Sequence, residues 1–87
     1  MSNLERWISF GMLLNLNQKC NNGQNVNKDE LHTIIECFKR SHDHDVDENR
    51  TLTVEQKEKR KQLYSKTADA VKDYIEQCLR DENRLNE

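Results

Sequence analysis

Residues 53–80 contain neither glycine nor proline, and their apolar side chains return at intervals of three and four. This spacing puts them on one face of an α-helix, which repeats every 3.6 residues, while charged residues fill the opposite face. The apolar face comprises Tyr64, Ala68, Val71, Ile75, Cys78 and Leu79. The sequence therefore predicts a long amphipathic helix over about 54–81, which two shorter helices upstream can pack against.

The start of this long helix is marked by Thr53 and Gln56, whose spacing fits a capping box. Its first half, residues 54–62, has no apolar side chain after Val54 and is locally basic. The basic residues are Lys57, Lys59, Arg60 and Lys61. This half is interpreted either as a solvated extension of the helix or as a docking surface for an acidic partner.

A second helix is predicted over about 28–40. Asn27 and Glu30 have capping-box spacing, and Val26 with Leu31 fits a hydrophobic staple around the same helix start. Its apolar stripe faces the core, and His32 lies off that stripe.

The first helix is predicted over about 3–16, after a capping box formed by Ser2 and Glu5. It is apolar around most of its circumference, and a helix of this kind is buried on several sides. Either it is the central helix of a bundle, or part of its surface is an interface with another molecule. Three of its residues are of types that are enriched at interfaces, namely Trp7, Phe10 and Met12.

The predicted fold class is all-α, a single domain over 1–87 built as a small antiparallel three-helix bundle with a long C-terminal helix. The absence of proline, the two glycines and the lack of strand-like alternation favour helices. Only 33% of residues are apolar and 34% are charged, so the core is small. The charged front of the long helix would project beyond the shorter helices unless the helix breaks near Lys61 or a second subunit covers it. A homodimer is a reasonable prediction because the first helix is more apolar than a single packing face requires.

The acidic segment 41–53 is interpreted as a solvated connector. An alternative is a metal-binding module over 42–49, for calcium or zinc. Asp45, Asp47 and Asn49 match alternate ligand positions of an EF-hand loop, but Arg50 stands where its glycine belongs, and Gln56 replaces its bidentate glutamate. The candidate metal ligands are Asp43, Asp45, Asp47 and Asn49, with His42 and His44 for zinc.

No catalytic constellation is recognisable, so an enzyme is not expected, and no cofactor is predicted. Three widely spaced cysteines without a CxxC motif indicate free thiols in a reducing compartment, with Cys20 expected to be the most exposed. A net charge of −2 does not favour nucleic acid, and no apolar run is long enough to span a membrane. Without a signal-peptide pattern, we expect the cytoplasm of a bacterial or host cell.

The leading hypothesis is a non-catalytic protein that acts by binding another protein, as an inhibitor, an immunity protein, a chaperone or a regulator does. A homo-oligomer is an open alternative for the partner. The residues predicted to bind the partner are Trp7, Phe10, Met12, Lys57, Arg60 and Lys61.

Overall fold

The computed structural model describes the backbone of residues 2–87 and the side chains of residues 7, 8 and 10–87. Three helices and one short pair of strands follow one another along the chain, as α1 (Ser2–Asn21), β1 (Val26–Asn27), α2 (Lys28–Glu48), α3 (Val54–Asp81) and β2 (Leu85–Asn86). The predicted all-α class with three helices is confirmed. The capping box predicted from Ser2 and Glu5 depends on side chains outside the described set.

The middle helix of the fold is α2. It packs against α1 on one side and α3 on the other, while α1 and α3 make few contacts with each other. The alternative that the first helix is central is therefore wrong. The buried core is formed by side chains from all three helices and β1, namely Leu16, Val26, Leu31, Ile34, Ile35 and Leu79.

The prediction of a connector over 41–53 is wrong for residues 41–48, which form the last two turns of α2. Val46 is buried among the helices, and the backbone carbonyl of Asp47 accepts a hydrogen bond of 2.8 Å from Lys57. The hydrogen bond from Lys57 comes from α3, the next helix along the chain, and it stabilises the helical conformation of the acidic segment. Consequently α2 covers the front of α3, which does not project as the shorter predicted helix implied.

Helix α1 is also longer than predicted and continues through the polar residues to Asn21. Lys19 near its end donates a hydrogen bond of 2.8 Å to Glu30 on α2. The expectation that Cys20 is the most exposed thiol is wrong, because Cys20 is half-buried against the core, whereas Cys78 is exposed. The helical conformation turns Cys20 inward, toward α2.

The bounds of α3 agree with the prediction, and so does its start. Thr53 accepts a hydrogen bond of 3.1 Å from the backbone N–H of Gln56, and the Gln56 side chain accepts one of 2.9 Å from the Thr53 N–H. At the start of α2, Asn27 caps by accepting a hydrogen bond from the Asp29 N–H. Glu30 is paired with Lys19 instead of completing that capping box.

The C-terminal segment, which the sequence analysis did not predict, ties the open end of the bundle together. Asn83 adopts a left-handed conformation with φ 57°, and the chain then turns back so that β2 pairs in parallel with β1. Val26 lies opposite Leu85 in this pair, and its backbone N–H donates to the Arg84 carbonyl at 2.7 Å. The loop between α1 and α2 is therefore anchored to the end of α3.

Candidate binding groove

An apolar groove of about 390 Å³ runs along α2, between α1 and α3. It exists because both outer helices pack on α2 without closing over it. Residues of α2 form its floor, and residues of α1 and α3 form its walls. The floor consists of Leu31, Ile34, Ile35 and Phe38, and the walls consist of Leu13, Leu16, Tyr64, Thr67, Ala68, Val71 and Ile75.

The wall contributed by α3 stays partly open to solvent. The predicted apolar face of α3 spans more of the helix circumference than α2 covers, so Leu79 is buried, but Val71 remains 48% exposed. Tyr74 and Leu63, which flank this face, are 72% and 67% exposed. The groove side of α3 from residue 63 to residue 78 carries no charged side chain. Its exposed positions are Leu63, Thr67, Ala70, Val71, Tyr74 and Cys78.

The opposite wall belongs to α1, and no residue from 7 to 18 is charged. Trp7 is 72% exposed and Phe10 is 50% exposed, and their rings meet edge to face with centroids 6.4 Å apart. Leu13 and Leu14 continue this exposed apolar surface toward the middle of the helix. Contiguous exposed apolar surface of this kind marks interaction sites in soluble proteins.

At one end, beyond Phe38 and Tyr64, the groove continues into a smaller pocket of about 310 Å³, whose lining includes Ser41, His42 and Asp45. Here the His42 ring stacks on the Tyr64 ring, with centroids 3.8 Å apart and an interplanar angle of 9°. Burial, assisted by the charge of Asp43, raises the pKa of the Tyr64 hydroxyl above its ordinary value. The two stacked rings lie where the apolar groove meets this smaller pocket.

Among the residues predicted to bind a partner, Trp7 and Phe10 lie on the exposed α1 surface beside the groove. Met12 lies elsewhere on α1, half-buried against the core. Arg60 is exposed on α3, one turn before Tyr64.

The two predicted lysines do not join this surface. Lys57 donates to the Asp47 carbonyl, and Lys61 forms an ion pair with the Asp47 carboxylate, so both tie α3 to α2. Sequence reasoning recognised the apolar face of α3 but placed all of it against the other helices. It therefore missed Val71 and Thr67 as exposed wall residues.

The candidate metal ligands Asp43, Asp45 and Asp47 lie within α2, so no EF-hand loop forms there. Helical geometry places Asp43 and Asp47 on one face and Asp45 on another. The Asn49 side chain accepts a hydrogen bond from the Thr51 N–H. Among the described side chains, no group of three or more His, Cys, Asp or Glu residues is arranged to hold a metal ion.

Two ion pairs connect α2 to α3 on the outside of the bundle, Lys39 with Asp69 at 2.6 Å and Lys61 with Asp47 at 2.5 Å. The hydrogen bond from Lys39 lowers the pKa of the Asp69 carboxyl, and the hydrogen bond from Lys61 lowers that of Asp47. Each depressed pKa means that the folded state holds a proton less tightly than the unfolded chain.

These carboxylates make stability depend on acidity. Their contribution is present above the unfolded value of 3.8 and is lost as the pH falls through the lower folded values. We expect the urea midpoint to fall on acidification below about pH 4. The double variant Asp47→Asn and Asp69→Asn should have a lower midpoint at neutral pH and a shallower decline in acid. The exposed Asp73→Asn is the matched control, and an equally shallow decline in that control would contradict the assignment.

The chain matches no protein-family model, no curated protein and no solved structure. Within the described part of the chain, every helix is too short or too polar to cross a lipid bilayer.

Proposed function

We propose that this protein is a non-catalytic binding protein whose groove receives the apolar face of a helix from a protein partner. The observation that carries the proposal is the open groove itself, whose walls are uncharged and exposed over about four turns of α3. An amphipathic helix that lies in such a groove anchors itself through side chains at positions i, i+3, i+4 and i+7.

Exposed aromatic residues beside the groove support a protein partner. Trp7 and Phe10 on α1 and Tyr74 on α3 are exposed outside the groove lining, and aromatic side chains supply much of the energy at protein interfaces. Lys57 and Lys61 are engaged with α2, through a hydrogen bond to the Asp47 carbonyl and an ion pair with the Asp47 carboxylate, which favours this apolar surface over the basic front of α3 as the docking site. A second copy of the chain is one partner that could supply the helix.

The experiment is a selection from a displayed library of amphipathic helical peptides against the purified protein. Thr67→Glu is the diagnostic variant, because Thr67 lines the groove, is already exposed and is not part of the buried core. A carboxylate there faces the apolar side of any bound helix, and we expect selected peptides to bind this variant at least about tenfold more weakly.

The matched control is Gln62→Glu, which adds the same charge on the opposite, solvent-facing side of α3. Binding by Gln62→Glu should equal that of the unchanged protein. The proposal fails if neither a library peptide nor a second copy of the chain binds in the groove, or if the selected peptides bind Thr67→Glu as tightly as they bind Gln62→Glu.

A further inference from the structure

Resting on the proposed function, we infer that the helix occupying the groove is α1 of a second copy of this chain, in a two-fold symmetric dimer. The exposed apolar surface has the size that a dimer requires. Seven large residues around the groove expose on the order of 800 Å², taking about 150–250 Å² for each whole side chain. One side of a standard protein interface buries about 800 Å². These residues are Trp7, Phe10, Leu13, Leu14, Leu63, Val71 and Tyr74.

The shape of this face suits self-association. A two-fold interface uses the same patch on both copies, so the patch must contain both a protrusion and the hollow that receives it. Here the Trp7–Phe10 ring pair is exposed on α1, and Leu13, which lines the groove between α1 and α3, lies about one turn after Phe10. When α1 of one copy enters the groove of the other, the reciprocal contact forms by symmetry.

The charge pattern also suits a second copy of the same chain. A highly charged patch repels its own copy, whereas residues 7–18 of α1 and the groove side of α3 from 63 to 78 are uncharged. Across the whole chain, by contrast, 34% of residues are charged. The charge-free zone therefore coincides with the exposed apolar surface around the groove.

Gly11 lies on the exposed side of α1, near Trp7 and Leu14, and has nothing within 4 Å of the place where a Cβ would stand. Glycine is less favourable than alanine inside a helix, so the packing of one copy does not account for its presence. A helix from a second copy can approach the backbone closely at this point.

Sedimentation of the full chain from low to high micromolar concentration tests the inference directly. We expect dimers, together with a concentration-dependent blue shift of the fluorescence of Trp7, the single tryptophan. Phe10→Lys and Thr67→Glu should each raise the dimer dissociation constant at least about tenfold, because each buries an unpaired charge. Gln62→Glu should leave the dissociation constant unchanged.

Mixing the two disrupted variants tests the arrangement of the helices. In this arrangement, Phe10 of one copy contacts the α3 wall of the other, and the dimer contains this contact twice. In a mixed dimer of one Phe10→Lys copy and one Thr67→Glu copy, one of these contacts becomes a Lys–Glu pair and the other is unchanged. The equimolar mixture should therefore dimerise more tightly than either variant alone. Circular dichroism spectra matching the unchanged protein establish that both variants remain folded.

A wild-type chain that stays monomeric at high micromolar concentration overturns the dimer, and so does a dimer that neither variant weakens. Failure of the mixture to dimerise overturns the placement of α1 in the groove. If the chain is monomeric while selected peptides still bind in a Thr67-dependent way, the second-copy inference alone fails. If neither peptides nor a second copy binds, both the second-copy inference and the proposed function fail.

Discussion

Replacing Ile34 by alanine should lower the free energy of unfolding by about 3–4 kcal/mol, the largest loss expected from a single substitution in this chain. Ile34 is fully buried on α2 and belongs to the one cluster that joins all three helices. Truncation removes three carbon atoms from a site whose neighbours lie on separate helices and cannot all move inward. The result is a cavity in addition to the lost transfer free energy.

Urea denaturation followed by circular dichroism at a fixed protein concentration measures this loss, and the thermal midpoint should fall by roughly 12–32 °C. Val54→Ala is the control, because Val54 is 79% exposed at the start of α3 and its truncation should change stability by less than about 0.5 kcal/mol. A loss below about 1 kcal/mol for Ile34→Ala would show that the three helices do not share one core.

Replacing Arg84 by alanine should lower the free energy of unfolding by about 2–3 kcal/mol, although Arg84 lies outside every helix. Its guanidinium donates hydrogen bonds to the carbonyls of Lys19, Cys20 and Gln24 at 3.2, 3.1 and 3.0 Å. Carbonyls at the end of α1 have no partners within the helix, and a positive charge there is favourable to the helix dipole. Removing the guanidinium takes a charged donor from all three carbonyls and leaves those of Lys19 and Cys20 with one backbone hydrogen bond each, from Gln24 and Gly23.

Arg84→Lys distinguishes charge from geometry. Lysine keeps the positive charge but has a single ammonium group, which cannot donate to all three carbonyls at once. The Arg84→Lys variant should therefore recover less than half of the unfolding free energy lost in Arg84→Ala. Amide hydrogen exchange should accelerate in both variants at Val26, whose N–H bonds to the Arg84 carbonyl. Arg50→Ala in the exposed connector is the control, expected to change stability by less than about 0.5 kcal/mol. Equal losses of unfolding free energy in Arg84→Ala and Arg50→Ala would contradict the role of the Arg84 guanidinium in holding the end of α1.

The features that were predictable from the sequence depend on nearby residues. The capping box of Thr53 and Gln56 and the periodicity up to Leu79 involve partners three or four positions apart. The end of α2 was not predictable in this way, because Asp47 is held by Lys57 and Lys61 from the next helix. An acidic segment that is read alone resembles a connector.

The groove illustrates the same limit. The apolar faces of α1 and α3 are visible as periodicity, but periodicity cannot show which part of a face another helix covers. That depends on the placement of α2 between α1 and α3, which leaves Val71 and Phe10 exposed while Leu79 is buried.

By itself, the sequence determined that this chain forms three helices, where the third begins and ends, and which faces avoid water, because hydrogen bonds and spacing within a few residues decide these properties. Only the tertiary structure decided that α2 is central, that the C-terminal segment clamps the end of α1, and that one apolar face stays open as a groove. Those outcomes depend on how helices distant in the sequence share a limited core, and local patterns contain no information about that division.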